Sequence, residues 1–221
     1  MKSSIVKKYV MALSGLFLML FLFQHFCINA TSLFSSDLFN NLSHFMGTNP
    51  LIQFVIQPIL IIGVVVHFIM GFVLELDNNN ARKIGYAMNN GAANSTWMSR
   101  NMIWSGLVIL AFIALHFADF WFPEINTKFI QGDWSGAIEG VEGYRYFTEL
   151  QHKFVNPLRV VAYIVAFTLL IMHLLHGFGS AFQSLGANNK YTRAIKGFGN
   201  VYAIGVPIGF IVIALFHYFN H

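Results

Sequence analysis

An all-α fold with five membrane-spanning helices is what this sequence predicts, and three observations carry it. Of 221 residues, 56% are hydrophobic and only 10% are charged, where a soluble domain carries about 25% charge. Five apolar stretches, about residues 10–30, 51–74, 102–122, 158–182 and 201–219, each have the ~20 residues that cross a bilayer as a helix. Four of these stretches hold an interior histidine, and the first four are read as one helical bundle. The chain reads as a single polytopic membrane domain over 1–221.

The first span is longer than the 7–15 apolar residues typical of a signal-peptide core, so it reads as retained. Between the first two spans, residues 36–46 place Leu38, Phe39, Leu42, Phe45 and Met46 at helical spacing. That segment is too short to cross and reads as a helix lying along the outer interface. The second span contains Pro58 and the fifth Pro207, kinks that membrane bundles tolerate. The connection 77–99 is rich in Asn and reads as a polar loop that meets a partner. The connection 123–150 is acidic, with Glu124, Asp133, Glu139, Glu142 and Glu149.

Lys and Arg set the orientation. One face holds Lys2, Lys7, Lys8, Arg82, Lys83, Arg100, Lys190, Arg193 and Lys196; the other holds Lys128, Arg145, Lys153 and Arg159. The N-terminus is therefore expected in the cytoplasm and the C-terminus outside. This asymmetry accounts for the pI near 9.2. No basic run interleaved with aromatics appears, so a nucleic-acid partner is excluded. Cys27 is the only cysteine. That excludes a Cys-ligated iron–sulfur cluster, an all-cysteine zinc site and C-x-x-C-H haem attachment.

His25, His67, His116 and His173 lie one in each of the first four spans. An ionisable group inside a membrane segment is a functional hypothesis by default. The segment Ser14-Gly15-Leu16 precedes His25 as Ser105-Gly106-Leu107 precedes His116, each histidine eleven residues after its serine. His67-x-x-x-Gly71 matches His173-x-x-x-Gly177. The chain thus reads as a duplicated helical hairpin plus a fifth helix. Small residues near a histidine let a flat macrocycle or a neighbouring helix come close.

Helical rise sorts the histidines by depth. His25 lies roughly 22 Å from Val10 and His116 roughly 24 Å from Arg100, both counted from the inner boundary. His67 lies roughly 25 Å from Pro50 and His173 roughly 24 Å from Pro157, both counted from the outer boundary. His25 and His116 therefore pair near the outer side, and His67 and His173 near the inner side. Imidazoles from antiparallel neighbours are expected to meet at these two levels, each couple holding one non-covalent haem b in a four-helix bundle. Two histidines per iron fill both axial positions, leaving one-electron transfer as the chemistry.

Other residues stay open. His176, one turn from His173, is the alternative fourth ligand. Arg100, with Trp97, Ser99, Ser14 and Ser105, lies on the inner side and suits haem propionates. Asp119, one turn beyond His116, either handles protons for a quinone or caps the membrane boundary. His44 and His217 lie near the outer interface, where an interfacial role, a quinone pocket or neither remains open, while His152 and His221 read as solvated. Glu75 reads as a boundary residue.

On four single histidines in order, the stretch Phe39–Pro50 (FNNLSHFMGTNP) and His173-x-x-x-Gly177 continuing to Phe182 and Gly186, the chain resembles the five-helix, two-haem cytochrome b anchor of succinate:quinone oxidoreductases. The resemblance covers nearly the whole chain. It implies the same ligand pairs, His25 with His116 and His67 with His173. It also implies a bacterial inner membrane and flavoprotein and iron–sulfur subunits on the cytoplasmic face. Membrane quinone, often menaquinone, is then the substrate, and the chain works as a subunit of a succinate dehydrogenase or fumarate reductase. Some members carry a glutamate two residues before the fourth ligand; here Ile171 precedes His173 and Leu174 precedes His176 at that spacing. Two alternatives remain: a cytochrome b subunit of a hydrogenase or formate dehydrogenase, and a proton channel or transporter using histidines as relays.

Overall fold

The computed structural model describes residues 4–81, 101–138, 141–187 and 189–221. It is an all-α polytopic membrane fold with five long apolar helices among those residues. We label the helices α1 (Ser4–Ala30), α2 (Ser36–Thr48), α3 (Gln57–Ala81), α4 (Met102–His116), α5 (Phe122–Ile125), α6 (Tyr146–Phe154), α7 (Pro157–Ser184) and α8 (Thr192–Phe219). A two-stranded antiparallel hairpin, β1 (Ala137–Ile138) and β2 (Val141–Tyr144), precedes α6.

The first four spans form a square. α1 packs against α3 and α7, and α4 packs against α7 and more lightly against α3. α8 lies outside the square, against α7 and α1. Gly199, Ala203 and Ala214 are buried on the α8 face, and such small residues let membrane helices approach closely where no hydrophobic force drives them together. The spans that share a histidine pair, α1 with α4 and α3 with α7, occupy the diagonals. The two helices of each pair therefore run in the same direction. The expectation that imidazoles meet from antiparallel neighbours is corrected here: the topology puts antiparallel helices on the edges of the square and parallel ones across its centre.

The spans are longer than the apolar runs suggest. The third continues from Met102 to Ile130, past Pro123, where a helix would ordinarily stop. A wide π-turn, Phe117–Trp121, precedes that proline, and the Phe122 N–H reaches back to the Phe117 carbonyl. The same device, Ile52–Ile56 with Gln57 N–H bonded to the Ile52 carbonyl, precedes Pro58. A proline removes one helical hydrogen bond and clashes with the preceding turn. A π-bulge widens that turn, so both helices pass their prolines. The fifth span begins at Thr192, ahead of the apolar stretch that starts near residue 201.

One end of the bundle, where α1 ends and α8 finishes, carries a folded cap. α2 begins at Ser35, whose side chain accepts from the Leu38 N–H. Its Phe39 is buried against α6, and Asn40 Oδ1 accepts the Phe147 N–H at 2.8 Å, satisfying a donor that the α6 N-terminus leaves free. Beneath the cap, Lys128 is 1% exposed and pairs with Glu124 at 2.5 Å. It also donates to the Gly47 carbonyl and sits over the Trp134 ring. Glu124 additionally pairs with Arg145. The segment after Phe122 stays helical because this buried lysine and its i,i+4 glutamate satisfy one another. Lys128→Met is expected to cost about 3 kcal/mol, the low end for breaking a buried pair, since Glu124 keeps Arg145. An unfolding midpoint in detergent equal to that of the parent would contradict this.

Candidate functional site

The square's centre holds four imidazoles in two couples. The His25 and His116 ring centroids are 5.8 Å apart at an interplanar angle of 83°. The His67 and His173 centroids are 6.4 Å apart at 69°. An imidazole nitrogen binds a metal at about 2.0–2.1 Å, so two rings sharing one ion place their centroids about 6 Å apart. Linear ligation fixes the nitrogen–metal–nitrogen axis and leaves each ring free to rotate about it, so both angles are acceptable. Across the wall of α7, it is His173 whose ring faces His67; His176 is half-buried one turn further on.

Among the described residues, no three His, Cys, Asp or Glu side chains converge on a bare metal ion. Couples of imidazoles suit a macrocycle that supplies its own equatorial nitrogens. The surroundings are aromatic and apolar. At the His25 level, Phe21 stacks on His25 at 5.5 Å and Phe210 lies 5.7 Å away, while Phe112 and Phe120 flank His116. Among the described residues, the His116 Nδ1 is sealed from solvent without a hydrogen-bond partner, a state that costs free energy.

At the other level the rings are held from behind. Ser14 Oγ lies 3.1 Å from His67 Nδ1 and donates to the Met11 carbonyl at 3.0 Å. Ser105 Oγ lies 3.2 Å from His173 Nδ1 and donates to the Met102 carbonyl at 2.9 Å. Next to each serine a glycine makes room. A Cβ on Gly15 would stand 3.3 Å from His67 Cε1, and one on Gly106 would stand 3.7 Å from His173 Cε1. The offset of 91 residues that relates Ser14 to Ser105 also relates Met11 to Met102 and His25 to His116. The repeat is thus mechanical: the Ser-Gly of each ascending helix seats the histidine of the antiparallel neighbour. These serines, expected near haem propionates, touch ring nitrogens.

Asp119 does not cap a boundary. The π-turn carries it inward, where it is 3% exposed, pairs with Arg159 at 3.0 Å and accepts from the Tyr163 hydroxyl at 2.9 Å. Tyr163 in turn packs edge-on against Phe112 and near His116. Neither Arg159 nor Tyr163 stands out in the sequence, because a tyrosine inside an apolar run reads as filler. A second polar thread joins the spans at this end. The Ser32 hydroxyl donates to the Asn29 carbonyl at 2.7 Å and meets His217 Nε2 at 2.9 Å. His217, fully buried on α8, is therefore a packed helix-to-helix contact.

His44 stacks on Tyr144 at 3.9 Å in the cap. Its pKa is lowered by burial and then by the Lys128 charge, against a raising effect of Glu124, so the ring is neutral at pH 7. Glu75 receives Asn79 Nδ2 at 3.2 Å, and Lys7 pairs with Asp77 at 2.5 Å, tying the start of α1 to the end of α3. Arg100, Trp97 and Ser99 lie outside the described residues. Comparison with family models, curated proteins and solved structures finds no match for this chain.

Proposed function

We propose that the chain is a di-haem cytochrome b membrane anchor of a succinate:quinone oxidoreductase. It carries electrons between a flavoprotein/iron–sulfur dimer and membrane quinone, menaquinone being the expected species. The observation that supports this reading best is the pair of imidazole couples, one histidine from each of four spans, at ring separations suited to a shared axial axis. When bound there, haem b supplies reversible one-electron transfer. The chain's own part is to present neutral imidazole nitrogens, exclude water with Phe21, Phe112, Phe120 and Phe210, and hold ring orientation through Ser14 and Ser105.

The excess of Lys and Arg at the N-terminal end supports a cytoplasmic N-terminus and docking of the partner subunits there. In the bacterial inner membrane the cap of α2, the hairpin and α6 then lies outside. Quinone chemistry moves protons with electrons, and Asp119 and His44 are the groups proposed to serve it at that end. A hydrogenase or formate dehydrogenase cytochrome b often draws two ligands from one helix; four ligands on four helices favour the succinate class. A histidine-relay channel leaves the two couples without a shared purpose.

The test is isolation of the native complex through a tag on this chain. Flavin and iron–sulfur protein should co-purify, and succinate should reduce a b-type absorbance. Recovery of the chain alone, with no pigment, would contradict the proposal. Recovery with a hydrogenase or formate dehydrogenase would favour the alternative.

A further inference from the structure

The two histidine couples are not supported alike. A serine hydroxyl has one proton, and in both Ser14 and Ser105 that proton is directed at the carbonyl three residues back in the same helix. Toward His67 Nδ1 and His173 Nδ1, at 3.1 and 3.2 Å, the oxygen is left to accept. Each Nδ1 therefore carries the ring proton, and each Nε2 is the bare nitrogen. The hydroxyl is also polarised by its own donation, which strengthens it as an acceptor. Among the described residues, no such acceptor serves the other couple. His116 Nδ1 is sealed and unpaired. At 3.4 Å from both ring nitrogens of His25 lies an amide donor, Asn29 Nδ2.

From this asymmetry we infer that Ser14 and Ser105 are positioning residues that fix the tautomer and raise the basicity of His67 and His173. In doing so they set the reduction potential of the haem at that level independently of the other. The inference rests on the haem reading above. A ligating histidine whose second nitrogen donates a hydrogen bond is oriented and made more basic by it. A more basic ligand favours the ferric state and lowers the potential. Because the two serines act on opposite sides of one ligation axis, each contributes to the same redox transition.

The experiment is a potentiometric titration of the b-type absorbance of the purified full-length protein, resolved into its separate transitions. Ser14→Ala and Ser105→Ala should each shift one transition to higher potential, the same one for both, leaving the other in place. Ser14→Thr and Ser105→Thr keep the hydroxyl and should restore the parent value. The affected transition should be the one missing from a His67→Ala variant. If an alanine variant does not retain pigment, Ser→Cys, a weaker acceptor, should show the upward shift instead. Transitions that do not move, that move downward, or that differ between the two serine positions would overturn the inference while leaving the two-haem reading intact. A parent protein without haem would overturn both.

Discussion

His67→Ala and His173→Ala are each expected to leave the protein with one haem per chain where the parent is expected to bind two, and the retained haem should be the same in both variants. His25→Ala and His116→Ala should retain the complementary one. The expectation joins the proposed haem reading to the ring geometry. Each ring has a single imidazole opposite it, at 5.8 Å in one couple and 6.4 Å in the other, and the couples come from separate diagonals of the square. Removing either imidazole would leave a haem bound there with one protein ligand. Difference spectra and haem-to-protein ratios check this. Loss of both haems, or neither, from one of these changes would contradict the pairing.

Gly15→Leu is expected to abolish haem binding at the His67 level, though no ligand is removed. A Cβ at this position already presses on His67 Cε1 at 3.3 Å, and the larger branch must displace the ring from Ser14 Oγ. Overpacking of this kind costs about 1–3 kcal/mol, and the imidazole is the group that moves because both helix backbones are fixed by their own hydrogen bonds. Gly106→Leu should act in the same sense on His173, where the Cβ distance is 3.7 Å. Gly205→Leu, on a stretch of α8 where a Cβ meets nothing within 4 Å, is the control and should retain both haems. Equal haem content in all three variants would contradict the seating role assigned to the Ser-Gly pair.

The spans were legible because hydrocarbon thickness imposes a length and a composition that no other environment demands. The pairing of His25 with His116 and of His67 with His173 was legible because helical rise converts residue number into depth. The same arithmetic sets Ser14 within about 6 Å of the boundary near Val10, the level of His67, so its contact with Nδ1 was there to be found. Which helices oppose one another was not legible. Depth places a residue along the membrane normal and says nothing about azimuth, and parallel partners across a diagonal emerged only from packing.

The extension of the third span past Pro123 escaped for a different reason. A proline one residue beyond an apolar run ordinarily ends a helix, and a π-turn leaves no simple mark in sequence. α6 did leave one: Phe147, Leu150 and Phe154 sit on one helical face, and Leu150 and Phe154 are buried. The acidic character of 123–150 masked that spacing. Arg159 and Tyr163 reached Asp119 through tertiary contact alone.

The paired imidazoles are tested most directly by the spin state and amount of iron in the oxidised, purified protein. Two haems per chain are expected, both low-spin and neither accessible to added cyanide or carbon monoxide, because two histidines would hold each iron. A high-spin signal that exogenous ligands convert, or protein free of haem after expression with ample iron and haem supply, would contradict it.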